Sequence, residues 1–138
     1  MHRLSARTWL AHTLAQPLPD REPGGGARRA QPGPCRFCGQ PILVGLDDDT
    51  CASTRRVDPA PLDANAEAVA LLAGRRTCAL VLSGGAAQLQ LREPEQIQRT
   101  PADPESDRPI LAEHECGMPL GVGLSPIVVA EYDDTPPF

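Results

Sequence analysis

Phenylalanine, tyrosine and tryptophan are scarce in this 138-residue chain, which has only Trp9, Phe37, Tyr132 and Phe138. Aromatic side chains bury large areas, so a core that has few of them gains less stability from packing. Even so, 41% of the residues are hydrophobic, which excludes a fully disordered chain. The length corresponds to one domain, and we expect its small core to need stabilisation beyond packing.

Long hydrophobic segments are also missing. The longest apolar stretches, residues 42–46 and 79–82, are far shorter than the ~18 residues that a membrane span requires. Arg7, Trp9 and His12 interrupt the N-terminal segment, which therefore lacks the apolar centre of a secretory signal. The sequence predicts a cytoplasmic protein without a membrane segment.

Lysine is absent, and all thirteen basic residues are arginine. Residues 1–34 carry five Arg against two acidic residues, a net charge of +3, whereas residues 35–138 carry eight Arg against sixteen acidic residues, a net charge of −8. Nucleic-acid binding normally requires a basic face that neutralises phosphates. The domain is therefore a poor candidate for it, and residues 21–36 are the only segment that offers such contacts, through Arg21, Arg28, Arg29 and Arg36.

The distribution of the 12 Gly and 16 Pro residues divides the chain into segments. Residues 16–33 are rich in both and have almost no apolar side chains. Burial of apolar surface therefore cannot offset the conformational entropy lost on ordering, and this composition predicts a flexible linker. Residues 1–15 predict a marginal N-terminal helix, and residues 34–132 predict the folded domain. The tail, residues 133–138, is expected to fray.

Hydrophobic periodicity and turn residues predict the elements of the domain. Its helix begins at the N-cap Asp63 and ends at Gly74. Residues 77–82 and 87–92 flank a Ser-Gly-Gly-Ala turn and predict a β-hairpin, whereas the acidic, proline-interrupted residues 93–108 predict a loop. Further strands are predicted at residues 41–46, 54–57, 109–113 and 125–132. Together these elements indicate an α+β fold with a small antiparallel β-sheet and one central helix.

Two short motifs at opposite ends of the domain carry metal-ligand chemistry. Cys35-Arg36-Phe37-Cys38-Gly39 directly precedes a predicted strand, and His114-Glu115-Cys116-Gly117 directly follows another. Each combines two thiolate or imidazole donors with a glycine, which permits the left-handed backbone that closes a metal-binding turn. An odd number of cysteines, five, also favours metal or redox chemistry over a disulfide framework. The sequence predicts that one structural zinc ion is bound by Cys35, Cys38, His114 and Cys116.

These nine residues resemble the zinc-ribbon group, in which two knuckles at the ends of β-hairpins share one metal. The resemblance implies a closed zinc site. The chain departs from the group in two ways: its second knuckle is H-x-C rather than C-x-x-C, and 75 residues separate Cys38 from His114, where compact ribbons have about 15 to 20. The helix and hairpin between the knuckles would then be an insertion or a fused small sheet domain.

Other interpretations of the same residues are disfavoured but open. A thioredoxin-like redox motif should begin a helix, whereas here an apolar strand follows Cys38. A zinc deaminase contains H-x-E followed by P-C-x-x-C, which is the reverse of the order in this chain. Cys51 is an alternative fourth ligand in place of His114, although a free thiol is the simpler interpretation. Cys78 shares a strand face with Leu80 and is expected to be buried as a small hydrophobic residue.

Two classes of function are compatible with this pattern. The first is a small non-enzymatic adaptor, in which zinc stabilises the domain and an acidic surface contacts a protein partner. The second is a nucleic-acid-associated regulatory protein that uses the Arg-containing N-terminal arm. The charge of the domain favours the first. An enzyme is disfavoured because no nucleophile with a base, phosphate loop or pair of acids is recognisable.

Overall fold

Two three-stranded antiparallel β-sheets form the framework of the protein. The computed structural model describes residues 5–24, 26–47 and 53–117. The first sheet consists, in spatial order, of β1 (Gln31–Pro34), β2 (Pro41–Leu46) and β3 (Thr54–Val57). The second consists of β4 (Thr77–Ser83), β5 (Ala86–Leu91) and β6 (Ile110–Ala112), with β4 in the centre. The helices are α1 (Ala6–Leu14), α2 (Ala64–Leu72) and α3 (Pro94–Arg99).

The α+β class and the antiparallel pairing are confirmed, but the fold differs from one small sheet with one central helix. The described residues form two sheets and three helices. The alternation of apolar and polar residues predicts strands without identifying their partners. β4 pairs with its hairpin neighbour β5 and, on its other side, with β6, where Thr77 lies opposite Ala112. That long-range pairing creates the second sheet.

A single hydrophobic cluster joins both sheets to α1. It contains Leu43 of the first sheet, Leu80 and Leu89 of the second, and Leu10 of α1, which is only 2% exposed. Ser5 caps α1 by accepting a hydrogen bond from the Thr8 backbone N–H at 3.1 Å. The N-terminal helix therefore packs on the core of the domain.

Part of the segment predicted as a linker pairs with the first sheet. Residues 31–33 belong to β1, in which Pro34 lies opposite Pro41 of β2. β1 is an edge strand, where proline is tolerated because one side of the strand needs no N–H donors. Gly33 is packed closely by the chain before it, since a Cβ there would lie 2.5 Å from Pro23 Cδ. Composition could not reveal this strand, because Gln-Pro-Gly-Pro has no strand pattern.

The helix predicted after Asp63 is confirmed as α2. The Asp63 carboxylate accepts a hydrogen bond from the Ala66 backbone N–H at 2.7 Å, and Gly74 has a φ of +80° just after the helix. On its inner face, α2 packs Ala66 and Ala70 against Ile110 and against small residues of the second sheet, Ala79 and Ala112. α2 thus covers the surface of the second sheet that carries this small-residue cluster.

Residues 93–108 were expected to form a loop, and this is corrected by the presence of α3. Pro94 occupies its first turn, where the missing N–H costs nothing. Glu93 and Gln96 form a capping box, in which the Glu93 backbone N–H donates to Gln96 Oε1 at 2.8 Å. The same proline that suggests a loop therefore starts a short helix.

Several predictions fall outside the described residues. These are the strand at 125–132, the tail at 133–138 and the environment of Cys51. The domain boundaries at 15, 33 and 132 stay predictions. Among the described residues, no helix has both the length and the apolar character needed to cross a membrane.

Candidate metal centre

The first half-site is the tip of the β1–β2 hairpin. Cys35 directly follows β1, and its backbone N–H donates to the Gln40 carbonyl at 2.8 Å while its carbonyl accepts from the Gly39 N–H at 2.8 Å. Gly39 has a φ of +79°, a conformation that side-chain-bearing residues rarely adopt. The Phe37 backbone N–H points at Cys35 Sγ, 3.4 Å away. This turn directs both cysteine sulfurs to the same side of the hairpin, as the knuckle interpretation predicts.

The second half-site begins two residues after β6. Its backbone is fixed against the first sheet, because the His114 N–H donates to the Arg56 carbonyl at 2.7 Å and the backbone of Glu113 forms an isolated antiparallel β-bridge with Val57. Gly117 has a φ of +77°, as Gly39 does. β3 thus places the second half-site beside the first, although they are far apart in sequence.

The four predicted ligands come together in one cluster. The ligand atoms of Cys35, Cys38, His114 and Cys116 all lie within 4.8 Å of one another. Cys35 Sγ is 3.6 Å from Cys116 Sγ, and His114 Nε2 is 3.4 Å from Cys38 Sγ and 3.6 Å from Cys116 Sγ. In a tetrahedral zinc site two sulfurs lie about 3.8 Å apart, and sulfur and nitrogen about 3.5 Å apart. These residues can therefore hold a metal ion.

No protein-family model, curated protein or solved structure matches this chain. The assignment of a metal site therefore depends on the donor atoms and the geometry of this chain alone.

The neighbouring thiols of Cys35 and Cys116 have pKa values shifted in opposite directions. Burial disfavours the Cys35 thiolate, but hydrogen bonds from the backbone N–H groups of Cys38 and Phe37 and from the neighbouring cysteine side chains together outweigh burial and lower the pKa of Cys35 to about 6. The hydrogen bond with Cys35, together with burial, raises the pKa of Cys116 to about 11. Only one of these two thiols is thus readily ionised at neutral pH. A divalent cation between the sulfurs would stabilise all the thiolates at once.

A buried carboxylate orients the histidine. His114 Nδ1 lies 2.6 Å from Asp58 Oδ1, and the other carboxylate oxygen of Asp58 accepts from Arg75 Nη2 at 3.1 Å. The His114 side chain is fully buried and that of Arg75 only 4% exposed. In a metal-bound form, Nδ1–H would donate to Asp58 and Nε2 would face the metal, which is the usual arrangement of a ligating histidine with a carboxylate partner.

A cationic side chain contacts the buried thiol. Arg56 Nη2 lies 3.1 Å from Cys35 Sγ and 2.8 Å from Glu22 Oε1. The Arg36 backbone N–H also donates to that oxygen of Glu22, at 3.0 Å. The Glu22 side chain is 8% exposed, and its hydrogen bond with Arg56 lowers the pKa of Glu22. One zinc ion with three thiolates carries a formal charge of −1, which Arg56 would partly balance.

The other cysteine that the structure describes lies outside the cluster. Cys78 is 1% exposed, and burial raises the pKa of Cys78 to about 12, so its prediction as a small buried hydrophobic residue is confirmed.

Sequence reasoning missed the contacts around the four ligands. Arg56 and Asp58 flank Val57, which is fully buried in the core, so both side chains lie on the opposite face from Val57. That alternation is a usable signal. It could not identify His114 as the neighbour of this face, because the register between β3 and residue 113 is a long-range property.

Replacing Asp58 with asparagine is expected to weaken zinc binding about 10- to 100-fold, the usual cost of losing a carboxylate that orients a ligating histidine. The amide retains one acceptor but also places an N–H₂ group near Arg75 or His114. Competition with a chromogenic chelator measures the affinity. Asp63→Asn is the matched control, because asparagine caps helices as well as aspartate does. Equal affinities for the two variants would contradict a role for Asp58 at the metal.

Proposed function

We propose that Cys35, Cys38, His114 and Cys116 bind one structural zinc ion, and that the protein is a small non-enzymatic adaptor. The observation that carries the zinc assignment is the spacing of the ligand atoms, which is 3.4 to 3.6 Å for three of the pairs and within 4.8 Å for all of them. These separations approach the edges of a zinc tetrahedron with sulfur and nitrogen ligands. Packing without a metal would not require four such donors to point at one centre.

The donor chemistry supports zinc over harder cations. Thiolate and imidazole ligands suit zinc, whereas magnesium and calcium prefer oxygen ligands. Four protein ligands fill a tetrahedral zinc ion and leave no position for water or substrate, which is the arrangement of structural rather than catalytic sites. Cys35 and His114 are buried, as ligands of a structural ion usually are.

An acidic surface on and after α3 supports the adaptor role. Residues 93–108 include five exposed acidic side chains and two arginines, so the segment has a net charge of −3. The acidic residues are Glu93, Glu95, Asp103, Glu105 and Asp107. This charge favours a partner protein with a basic surface. The nucleic-acid alternative is weakened at one of its four arginines, because Arg36 already forms an ion pair with Glu22.

Metal analysis of the purified protein tests the zinc site. We expect one zinc per chain, and loss of most of it in Cys35→Ser and Cys116→Ser. Cys51→Ser is the matched control and should keep one zinc, since Cys51 is not among the four ligands. Retention of one zinc by Cys116→Ser, or its loss from Cys51→Ser, would reject this ligand set.

The partner class is tested separately. We expect proteins captured by the full chain at low salt to be lost with Glu95→Gln/Asp107→Asn and retained with Asp20→Asn, an exposed acid of the N-terminal arm. A parallel titration with duplex DNA should show no binding at physiological salt. DNA affinity that falls steeply as salt rises would instead support the nucleic-acid alternative.

A further inference from the structure

Two of the cysteines in the cluster, Cys35 and Cys116, bring their sulfurs into contact although they belong to different half-sites. Their Sγ atoms are 3.6 Å apart, and the two residues are separated by 81 positions in the sequence. A disulfide bond is about 2.05 Å long, so the sulfurs would have to approach by about 1.5 Å to form one. Cys116 is exposed, and the side chains of exposed residues rotate readily. The pair can therefore close without a change of the fold.

Contacts that do not involve a metal hold both sides of this pair. Cys35 Sγ lies 3.4 Å from the Phe37 backbone N and 3.1 Å from Arg56 Nη2. On the other side, the His114 backbone N–H donates to the Arg56 carbonyl at 2.7 Å, two residues before Cys116. The first sheet thus keeps the two sulfurs adjacent, and a reaction between them needs no search through other conformations.

Solvent reaches the two residues unequally. Cys116 is exposed, whereas Cys35 is only 2% exposed. An oxidant in solution can therefore attack the Cys116 sulfur but not the Cys35 sulfur. After oxidation of Cys116, the Cys35 sulfur is the nucleophile beside it. An accessible cysteine next to a second cysteine that can resolve its oxidised form is typical of redox-sensitive sites.

We propose that Cys116 and Cys35 are a modification site for hydroperoxides, and that their oxidation to a disulfide releases the zinc ion. This inference rests on the zinc site proposed above, in which both residues are thiolates. The Cys116 thiolate attacks an oxygen of the hydroperoxide, so that a sulfur–oxygen bond forms, the oxygen–oxygen bond breaks and an alkoxide leaves. The Cys35 thiolate then attacks the sulfur of the Cys116 sulfenic acid, forms the disulfide and expels hydroxide. Two thiolates lose two electrons to the hydroperoxide, and two protons from water complete the products, an alcohol and water.

The disulfide takes over part of the role of the metal. After oxidation only Cys38 and His114 are left as zinc ligands, which are too few for a closed tetrahedral site. The new bond joins the same two chain segments that the metal joined, and a cross-link over a loop of this length strongly restricts the unfolded chain. We therefore expect the oxidised, zinc-free protein to stay folded, whereas the reduced, zinc-free protein unfolds.

Oxidation of the zinc-loaded, full-length protein with hydrogen peroxide tests this inference. A chromogenic chelator should record the release of one zinc per chain relative to an unoxidised sample. Mass spectrometry of a non-reduced tryptic digest should show Cys35 joined to Cys116. Trypsin cleaves after Arg36, so the digest separates Cys35 from Cys38 and identifies the bridge. Cys51→Ser is the matched control and should release zinc and form the same bridge.

Thermal denaturation of the oxidised protein measures whether the disulfide replaces the metal. We expect a cooperative transition that is abolished when a thiol reductant and EDTA are added together. An oxidised protein that has lost its zinc and its cooperative transition would overturn this part of the inference.

The digest also separates failure of the inference from failure of the zinc site. A bridge from Cys35 to Cys38, a bridge to Cys51, or a Cys116 sulfinic acid without any bridge would overturn the inference and leave the zinc site standing. Retention of both zinc and free thiols in peroxide would do the same. A purified protein without zinc would instead reject the zinc site, and the digest of its oxidised form would still decide whether Cys35 and Cys116 form a disulfide.

Discussion

Removal of zinc by a chelator is expected to unfold the domain. Structural zinc ions contribute roughly 10–16 kcal/mol of apparent binding free energy, whereas a domain of this size has a total stability of about 5–15 kcal/mol. The core is built from Leu, Val, Ala and Ile side chains, with Trp9 packed at its edge. The metal would connect the β1–β2 hairpin to the chain after β6, and its loss would remove that connection.

Circular dichroism and thermal denaturation, with and without EDTA, measure this effect. The wild-type protein should lose its cooperative transition on chelation and regain it when zinc is added in excess. Cys35→Ser should behave like the chelated protein even in zinc, whereas Cys51→Ser should behave like the wild type. An unchanged melting temperature after complete zinc removal would show that the ion is not structural.

The half-sites were predictable because each is a local feature. Cys35 and Cys38, followed by Gly39, require only one tight turn, and the positive φ of that glycine is the conformation for which glycine is suited. The same holds for His114, Cys116 and Gly117. Pairing donors with a following glycine therefore identified the four clustered residues without knowledge of the fold.

The connection between the half-sites was not predictable from local pattern. It depends on β3, which accepts a hydrogen bond from the His114 N–H through the Arg56 carbonyl and turns the side chains of Arg56 and Asp58 toward the ligands. A strand's sequence shows which residues share a face but not which distant segment meets that face. The second sheet was missed for the same reason, since β4 and β6 pair across more than twenty residues.

Glu67 shows a different limit of sequence reasoning. Its position in the first turns of α2 predicts a favourable interaction with the helix dipole. In the structure it is 2% exposed and forms an ion pair with Arg92, at 2.7 and 3.1 Å, and accepts a hydrogen bond from Thr77 at 2.7 Å. A carboxylate is buried in a protein only where such partners replace water. Those partners lie on β4 and just after β5, so the burial could not be inferred from the helix alone.

Replacing Glu67 with leucine is expected to cost about 3–5 kcal/mol, because it leaves the guanidinium of Arg92 buried without its carboxylate. Urea denaturation of the zinc-loaded protein measures the change. The double variant Glu67→Leu/Arg92→Met should recover most of the loss, since apolar residues often replace a buried ion pair without penalty. Glu95→Leu, at an exposed position of α3, is the control and should change stability by about 0.5 kcal/mol or less.

A single Glu67→Leu that is no worse than this control would mean that the ion pair contributes nothing. Both variants lose the hydrogen bond to Thr77, but only the single variant leaves the charge of Arg92 unpaired. If the double variant is as unstable as Glu67→Leu, the lost hydrogen bond is therefore the larger part of the cost.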